Sequence, residues 1–281
     1  MNSFALQFSD KISASPVIKW AGGKRQLLPE LKARLPHQYN RYFEPFIGGG
    51  ALYFDQAPLN AYISDINPEL VNLYLVIRED VEALIADLST HENSLEYFTQ
   101  IRAWDRDSEY KSISPVRRAS RFIYLNKTCF NGLYRVNSKG YFNVPFGRYA
   151  NPNFLNKDAL FAASEILQTA QIECAGFENI LKYVSKGDFV YFDPPYIPLS
   201  QTASFTSYAK EDFGMDKQRQ LKSLCDRLSD MGVMFMLSNS DTPEANSLYN
   251  DYNVEKIYAS RFINSKADGR GKISEIIVRN Y

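Results

Sequence analysis

The segment Asp193-Pro194-Pro195-Tyr196 directly follows the apolar run Phe189-Val190-Tyr191-Phe192. In a parallel α/β sheet, ligands bind beyond the carboxyl ends of the strands. Two successive prolines make a stiff turn that holds the flanking Asp and Tyr in place, and each supplies a carbonyl without an N–H. Such a turn can offer one planar amine a carboxylate, a backbone carbonyl and an aromatic face. The two acceptors would take the N–H bonds of an exocyclic NH2 and draw its nitrogen toward a tetrahedral, nucleophilic form. The ring would stack on the attached heterocycle. The competing reading is a strand-ending Asp-Pro turn with the tyrosine in the core.

Three further groups have types and spacing that suit ligand binding. Phe43-Glu44-Pro45-Phe46 runs into Ile47-Gly48-Gly49-Gly50, a strand entering a glycine loop whose backbone can approach a ligand closely. Gly48-x-Gly50 lacks the last glycine of a dinucleotide fingerprint, where Tyr53 stands, and no Gly-Lys-Ser/Thr completes a phosphate loop. That double failure points to a ligand without a pyrophosphate, although a plain tight turn would read the same way. Asp65 ends the next apolar run at the distance where an acidic residue accepts ribose hydroxyls; the alternative is an Asx turn before Asn67-Pro68. Lys19-Trp20-Ala21-Gly22-Gly23-Lys24 places a lysine, an indole and two glycines ahead of the first strand, and taken alone it reads as a helix entry.

These groups need a sheet to position them. Tyr42–Phe46, Ala61–Asp65, Asp188–Asp193 and Val233–Ser238 read as buried strands alternating with helical patterns, which predicts an α/β sheet with parallel strands. Asn67-Pro68 predicts a helix start, with Leu70, Val71, Tyr74 and Ile77 on one face. Asp216 is expected to cap a second helix whose Leu221, Leu224, Leu228 and Met231 share a face, with Gly232 ending it. Val254–Ala259 and Ile273–Asn280 read as two final strands joined by the polar loop Asn264–Lys272. Between about Asp80 and Leu167 the rhythm breaks into helical stretches, Asp80–Leu88 and Ser114–Asn126, then a loop-rich aromatic segment, Cys129–Phe154. This predicts an insertion at residues 80–167 in a domain made of residues 1–79 and 168–281.

The 281 residues carry 32 Lys+Arg and 32 Asp+Glu, a zero balance that by itself argues against a tail-type nucleic-acid binder. The distribution reverses that argument. No acidic residue lies between Glu109 and Asp158, whereas nine basic residues and ten Phe or Tyr do, leaving 23 bases against 32 acids elsewhere. Cations interleaved with aromatics suit phosphates and base stacking; a solvated helix face followed by an aromatic mini-core is the alternative. Three scattered cysteines fit reduced thiols in the cytoplasm, and with two histidines a zinc site is not expected. No apolar run approaches a membrane span, and the first fifteen residues lack signal-peptide character.

Taken together, in order along the chain, these residues resemble the Dam-like, α-class DNA adenine-N6 methyltransferases, with greatest likeness to the GATC-specific modification methylases of DpnII-type restriction systems. The likeness runs from Lys19 to Asn280. It includes Lys-Trp-Ala-Gly-Gly-Lys, the glycine loop and the Asp-Pro-Pro-Tyr turn. It also includes Phe130-Asn131-Gly132-Leu133-Tyr134-Arg135 through Phe142–Tyr149, which resembles the family's recognition hairpin, and Ile197–Ser200, Phe205–Tyr208 and Ser274–Val278. No motif departs toward an inactive form.

The resemblance implies a Rossmann-like S-adenosylmethionine-dependent methyltransferase fold of mixed sheet direction. Residues 80–167 would be its mostly helical recognition insertion, with a DNA-reading hairpin at about 129–149. It implies S-adenosylmethionine as methyl donor, held by Trp20, Lys24, Gly48, Gly50, Asp65 and Asp193, with no metal. Asp193 and the Pro194 carbonyl would accept from adenine N6, with Pro195 completing the turn and Tyr196 stacking on the base. Leu133, Arg135 and Pro145 match base contacts, Lys19 a contact to the first guanine, Phe130 an intercalating aromatic, and Asn131 its neighbour at the opened pair. Arg135 also suits guanine, and Leu133 a thymine methyl, by type. Other bases of the patch are expected at phosphates. The stretch Ser200–Tyr208 reads equally as a lid or a surface loop.

The implied partner is GATC-containing double-stranded DNA, methylated on a flipped-out adenine in the cytoplasm, alongside a cognate endonuclease without a stable complex and without a membrane. Two alternatives stand beside this reading. An RNA adenine-N6 methyltransferase is disfavoured by a hairpin suited to the major groove, which A-form RNA hides. A catalytically inactive DNA-binding regulator is disfavoured by the intact Asp-Pro-Pro-Tyr turn.

Overall fold

The structure is a computed structural model and describes residues 14–199, 213–259 and 273–281. The apolar runs become β1 (Tyr42–Glu44), β2 (Tyr62–Asp65), β4 (Phe189–Phe192) and β5 (Met234–Ser240), all largely buried. The two C-terminal runs become β6 (Asn253–Ala259) and β7 (Ile273–Arg279). Strand β3 (Gln171–Cys174) was not expected from sequence. Its four residues are at most half-buried, so it carries little of the apolar pattern that marks the others. The seven strands are ordered β3-β2-β1-β4-β5-β7-β6. β1 runs parallel to β2 and β4, and β4 to β5; β7 lies antiparallel between β5 and β6. The sheet is therefore mixed. The loop Asn264–Lys272, expected to join β6 to β7, lies outside the described residues, as does Ser200–Tyr208.

The helices are α1 (Leu28–Lys32), α2 (Ala51–Gln56), α3 (Pro68–Glu79), α4 (Val81–Leu88), α5 (Leu95–Ala103), α6 (Pro115–Thr128), α7 (Lys157–Leu167), α8 (Met215–Asp230) and α9 (Pro243–Leu248). Asn67 caps α3 as expected: its side chain accepts the N–H groups of Glu69 and Leu70 at 3.0 and 3.2 Å, and Leu70, Val71, Tyr74 and Ile77 are buried. The expectation for α8 needs correction. Gly214 is its N-cap, without a side-chain bond, and Asp216 lies inside the first turn, exposed and paired with Arg219 at 2.8 Å. A carboxylate there still meets the positive end of the helix dipole. Leu221, Leu224 and Leu228 are buried, but Met231 lies past the helix end and is exposed, with the chain leaving through Gly232 at φ +71°.

The chain divides into two compact units. One comprises the described parts of residues 1–23, 48–61 and 65–174. In it α3 packs on α6 and α7, and Phe98, Tyr124, Leu125, Phe142 and Val144 form a core beneath a hairpin. The hairpin is closed by the Cys129–Phe146 and Val136–Phe142 bridges, and Asn137 holds its tip by accepting from Lys139 and Tyr141. The other unit comprises residues 24–47, 62–64 and the described part of 175–281. Its core sets Phe43, Val190, Phe192, Phe235 and Leu237 of the sheet against Leu221, Leu224 and Leu228 of α8.

Candidate active site

The Asp-Pro-Pro-Tyr turn leaves β4 at its carboxyl end. Its trailing backbone is held by a buried polar group. Gln218 of α8 donates to the Pro195 carbonyl at 2.8 Å and accepts from Asn239 at 3.2 Å. Asn239 accepts the Ile197 N–H at 3.1 Å, and the Ser240 hydroxyl donates to the Ile197 carbonyl. The Pro195 carbonyl is thereby occupied, whereas no described residue hydrogen-bonds the Pro194 carbonyl. Asp193 forms a 2.7 Å ion pair with Lys24, itself buried, and the Lys24 ammonium also lies 4.6 Å from the centre of the Tyr196 ring. The Tyr196 hydroxyl donates to Glu275 of β7 at 2.7 Å. Burial pushes the Asp193 carboxyl above its ordinary range; Lys24 opposes this, and the negative charge of Glu275 adds to it. The structure thus brings Lys24, Asp193 and Tyr196 together. Gln218 and Asn239 hold the backbone of the turn and Glu275 holds Tyr196, and sequence reasoning singled out none of the three. Only Glu275 carried a signal, as part of a family-like string.

In the other unit, Trp20 lies against the glycine loop. Gly48 has φ +46°, and a Cβ there would sit 2.7 Å from the Trp20 ring, so both backbone and packing demand glycine. Gly50, at φ +68°, starts α2. Asp65 accepts the Gly48 N–H at 3.2 Å through one oxygen and the Asn67 N–H at 2.9 Å through the other. The Asx turn and a bond to the glycine loop therefore coexist. Burial raises the Asp65 carboxyl above its ordinary range, against the backbone N–H groups that lower it, and among the described residues no cation pairs with it. A buried carboxylate with spare acceptor sites suits neutral hydroxyl donors.

The same unit carries the expected reading residues. Phe130 is 53% exposed, and Asn131, Leu133, Arg135 and Pro145 are exposed with it. Arg135 donates through Nε to Asn143 at 2.8 Å, which steadies the guanidinium. Asn131 sits at φ +58° with its N–H bonded to the Tyr149 hydroxyl at 3.0 Å. Lys19 is tied to the hairpin by Asn126, a fully buried residue with no sequence signal. Asn126 accepts the Lys19 N–H at 2.8 Å and donates to the carbonyls of Lys19 and Gly132 at 2.8 and 3.0 Å. Trp20 stacks near-parallel on Tyr134 of the hairpin, ring centres 5.7 Å apart.

A family model for D12 class N6 adenine-specific DNA methyltransferases matches residues 20–263. The chain belongs to this family. It is 49% identical over 276 residues to the type II methyltransferase M1.LlaDCHI of Lactococcus lactis subsp. cremoris, covering 97% of each chain. It is 41% identical over a 290-residue alignment to the type II methyltransferase M.MjaIII of Methanocaldococcus jannaschii, covering 96% of this chain and 100% of the relative. It is 34% identical over 264 residues to the DNA adenine methylase of Escherichia coli, covering 92% and 93%.

For this D12-class DNA methyltransferase the basic patch must be redrawn. Arg121 is buried in an ion pair with Asp105 at 2.8 Å and donates to the carbonyls of Ile101 and Arg102. Arg118 pairs with Glu69 at 3.1 Å. Both brace helix packing and are not phosphate contacts, because their charges are already spent inside the unit. Lys111, Arg117, Arg135, Lys139, Arg148 and Lys157 remain exposed. Burial pushes the Cys129 thiol up to about 11, which makes it a packing residue and not a nucleophile. Among the described residues no helix is long and apolar enough to cross a membrane.

Proposed function

We propose that the enzyme transfers the methyl group of S-adenosylmethionine to N6 of an adenine in GATC duplex DNA, acting in the cytoplasm as the modification partner of a type II restriction endonuclease. The single observation that carries the transfer chemistry is the Asp193 turn. Pro195 has its carbonyl occupied by Gln218, which leaves the Pro194 carbonyl and the Asp193 carboxylate as two acceptors beside the Tyr196 ring. Two acceptors and a ring are what an exocyclic amine on a planar base requires.

N6 is paired and stacked in a duplex, so the adenine must turn out of the helix before these groups can reach it. Asp193 and the Pro194 carbonyl then accept its two N–H bonds, and Tyr196 stacks on its face. Bound S-adenosylmethionine supplies a methyl already activated by the positive charge on sulfur. Trp20, Lys24, Gly48, Gly50, Asp65 and Asp193 would hold it. The buried Asp65 carboxylate without a cation fits ribose hydroxyls, and the glycine loop fits close backbone approach. Positioning and polarisation supply most of the rate.

In this reading residues 80–167 form the recognition insertion. Exposed Phe130, Asn131, Leu133, Arg135 and Pro145 serve as the reading set with Lys19. An Arg steadied at Nε can direct its remaining N–H groups at guanine, and an exposed Leu can meet a thymine methyl. Relatives named type II methyltransferases support the restriction-modification setting.

Two measurements test this. Purified protein should transfer labelled methyl to a GATC duplex, and Asp193→Ala should abolish transfer while duplex binding stays within about twofold, since the residue acts on N6 and not on duplex recognition. Expression in a host lacking adenine methylation should protect its plasmid from endonucleases that cut only unmethylated GATC. A digestion pattern equal to the empty-vector control would remove the GATC assignment.

A further inference from the structure

We infer that Glu275 is a positioning residue for Tyr196, fixing the plane on which the target base stacks. Glu275 can have this role only if Asp193 and Tyr196 hold the base as proposed above. A tyrosine at the end of a proline turn can swing about its side-chain torsions. Its hydroxyl is anchored at the far end by Glu275 at 2.7 Å, and its face is met by Lys24. Glu275 itself is fixed by strand pairing on both sides, opposite Ser240 of β5 and Ile257 of β6. Anchor and turn are thus set by the rigid sheet. Ser240 also holds the turn through the Ile197 carbonyl, so one strand register fixes both ends of the tyrosine. A hydroxyl bonded to a carboxylate is a strong, directional contact.

The same carboxylate acts on Asp193 through charge. Asp193 faces Lys24 from the segment before α1, Tyr191 from β4, Tyr196 from its own turn and Glu275 from β7. Lys24 favours its ionised form, and Glu275 disfavours it. Removing the Glu275 charge therefore makes Asp193 ionise at lower pH, and the acid limb of kcat/KM moves down.

The test compares Glu275→Ala, Glu275→Gln and Tyr196→Phe in steady-state methyl transfer to a GATC duplex. It includes pH profiles, thermal melts, duplex affinity and S-adenosylmethionine calorimetry. Glu275→Ala should lower kcat about tenfold, the scale of one hydrogen bond to a charged group, with both affinities within about twofold of wild type. Glu275→Gln, whose amide oxygen still accepts from the hydroxyl, should recover most of kcat, yet both variants should show the acid limb at lower pH. Tyr196→Phe should lose as much as Glu275→Ala, and the double variant no more than either. If Glu275→Ala does not fold, the glutamine variant and Tyr196→Phe decide. Wild-type kcat in Glu275→Ala or in Tyr196→Phe, an unmoved acid limb, or additive losses would overturn the role of Glu275. Activity surviving in Asp193→Ala would instead overturn the functional reading beneath it.

Discussion

Asp193 and Lys24 show how one residue pair sets the local chemistry. A buried carboxylate is pushed toward its neutral form, and the ammonium at 2.7 Å holds part of it charged. The turn was legible as Asp-Pro-Pro-Tyr because its residue types are the chemistry. Asn126 was not, because its role comes from three backbone partners that sequence separates by up to 107 positions. His91 gives a prediction at this scale. It is enclosed by Tyr97, Ser120 and Tyr124, and burial lowers it from 6.5 to about 4, with Asp87 opposing and Arg117 adding. The folded state therefore prefers neutral His91. Stability is fully present above pH 6.5 and is lost as pH falls through the window down to about 4. The loss is bounded at roughly 3 kcal/mol. Denaturant melts from pH 7 to pH 4 should show that decline, and His91→Gln should flatten it. Equal slopes in the two proteins would place the pH sensitivity elsewhere.

Among the elements, those with a strong period or a strong cap were readable in advance. α3 begins at Asn67-Pro68 because Asn67 accepts two of the first orphan N–H groups. β3 is not legible in the sequence because an exposed edge strand needs little apolar character, and the cap of α8 is not legible because an Asp inside a first turn looks like an Asp before it. The hairpin adds a contact that sequence could not supply. Tyr134, between Leu133 and Arg135 of the proposed reading set, stacks on Trp20, which lies against Gly48. Tyr134→Leu should weaken S-adenosylmethionine binding several-fold, the scale of one aromatic pair. Calorimetry against wild type checks this, and the effect should vanish in a Trp20→Leu background. Unchanged cofactor affinity would mean that the stack serves folding alone.

For the molecule as a whole, the zero net charge hides a basic aromatic stretch and an acidic remainder. Folding trims that stretch, because Arg118 and Arg121 are consumed by Glu69 and Asp105. The six exposed cations of the stretch should still make duplex affinity fall with salt, each phosphate contact contributing about −0.9 to the log–log slope. Neutralising Lys139 or Arg148 should make the slope shallower, whereas Arg121→Gln should act through stability. Binding measured from dilute to physiological salt checks this; affinity independent of salt would exclude that surface as the one holding DNA.

The sequence by itself determined the Asp-Pro-Pro-Tyr turn, the glycine loop, the strands of the sheet core and the family, because residue type, spacing and burial period are local properties. Tertiary structure decided which charges remain for a ligand, which carbonyl of the proline turn stays open, and that Glu275 holds Tyr196, Gln218 the proline turn and Asn126 the Lys19 backbone. Those outcomes depend on partners brought from distant positions. A carboxylate or an amide means something different when its neighbour is a lysine, a tyrosine hydroxyl or solvent.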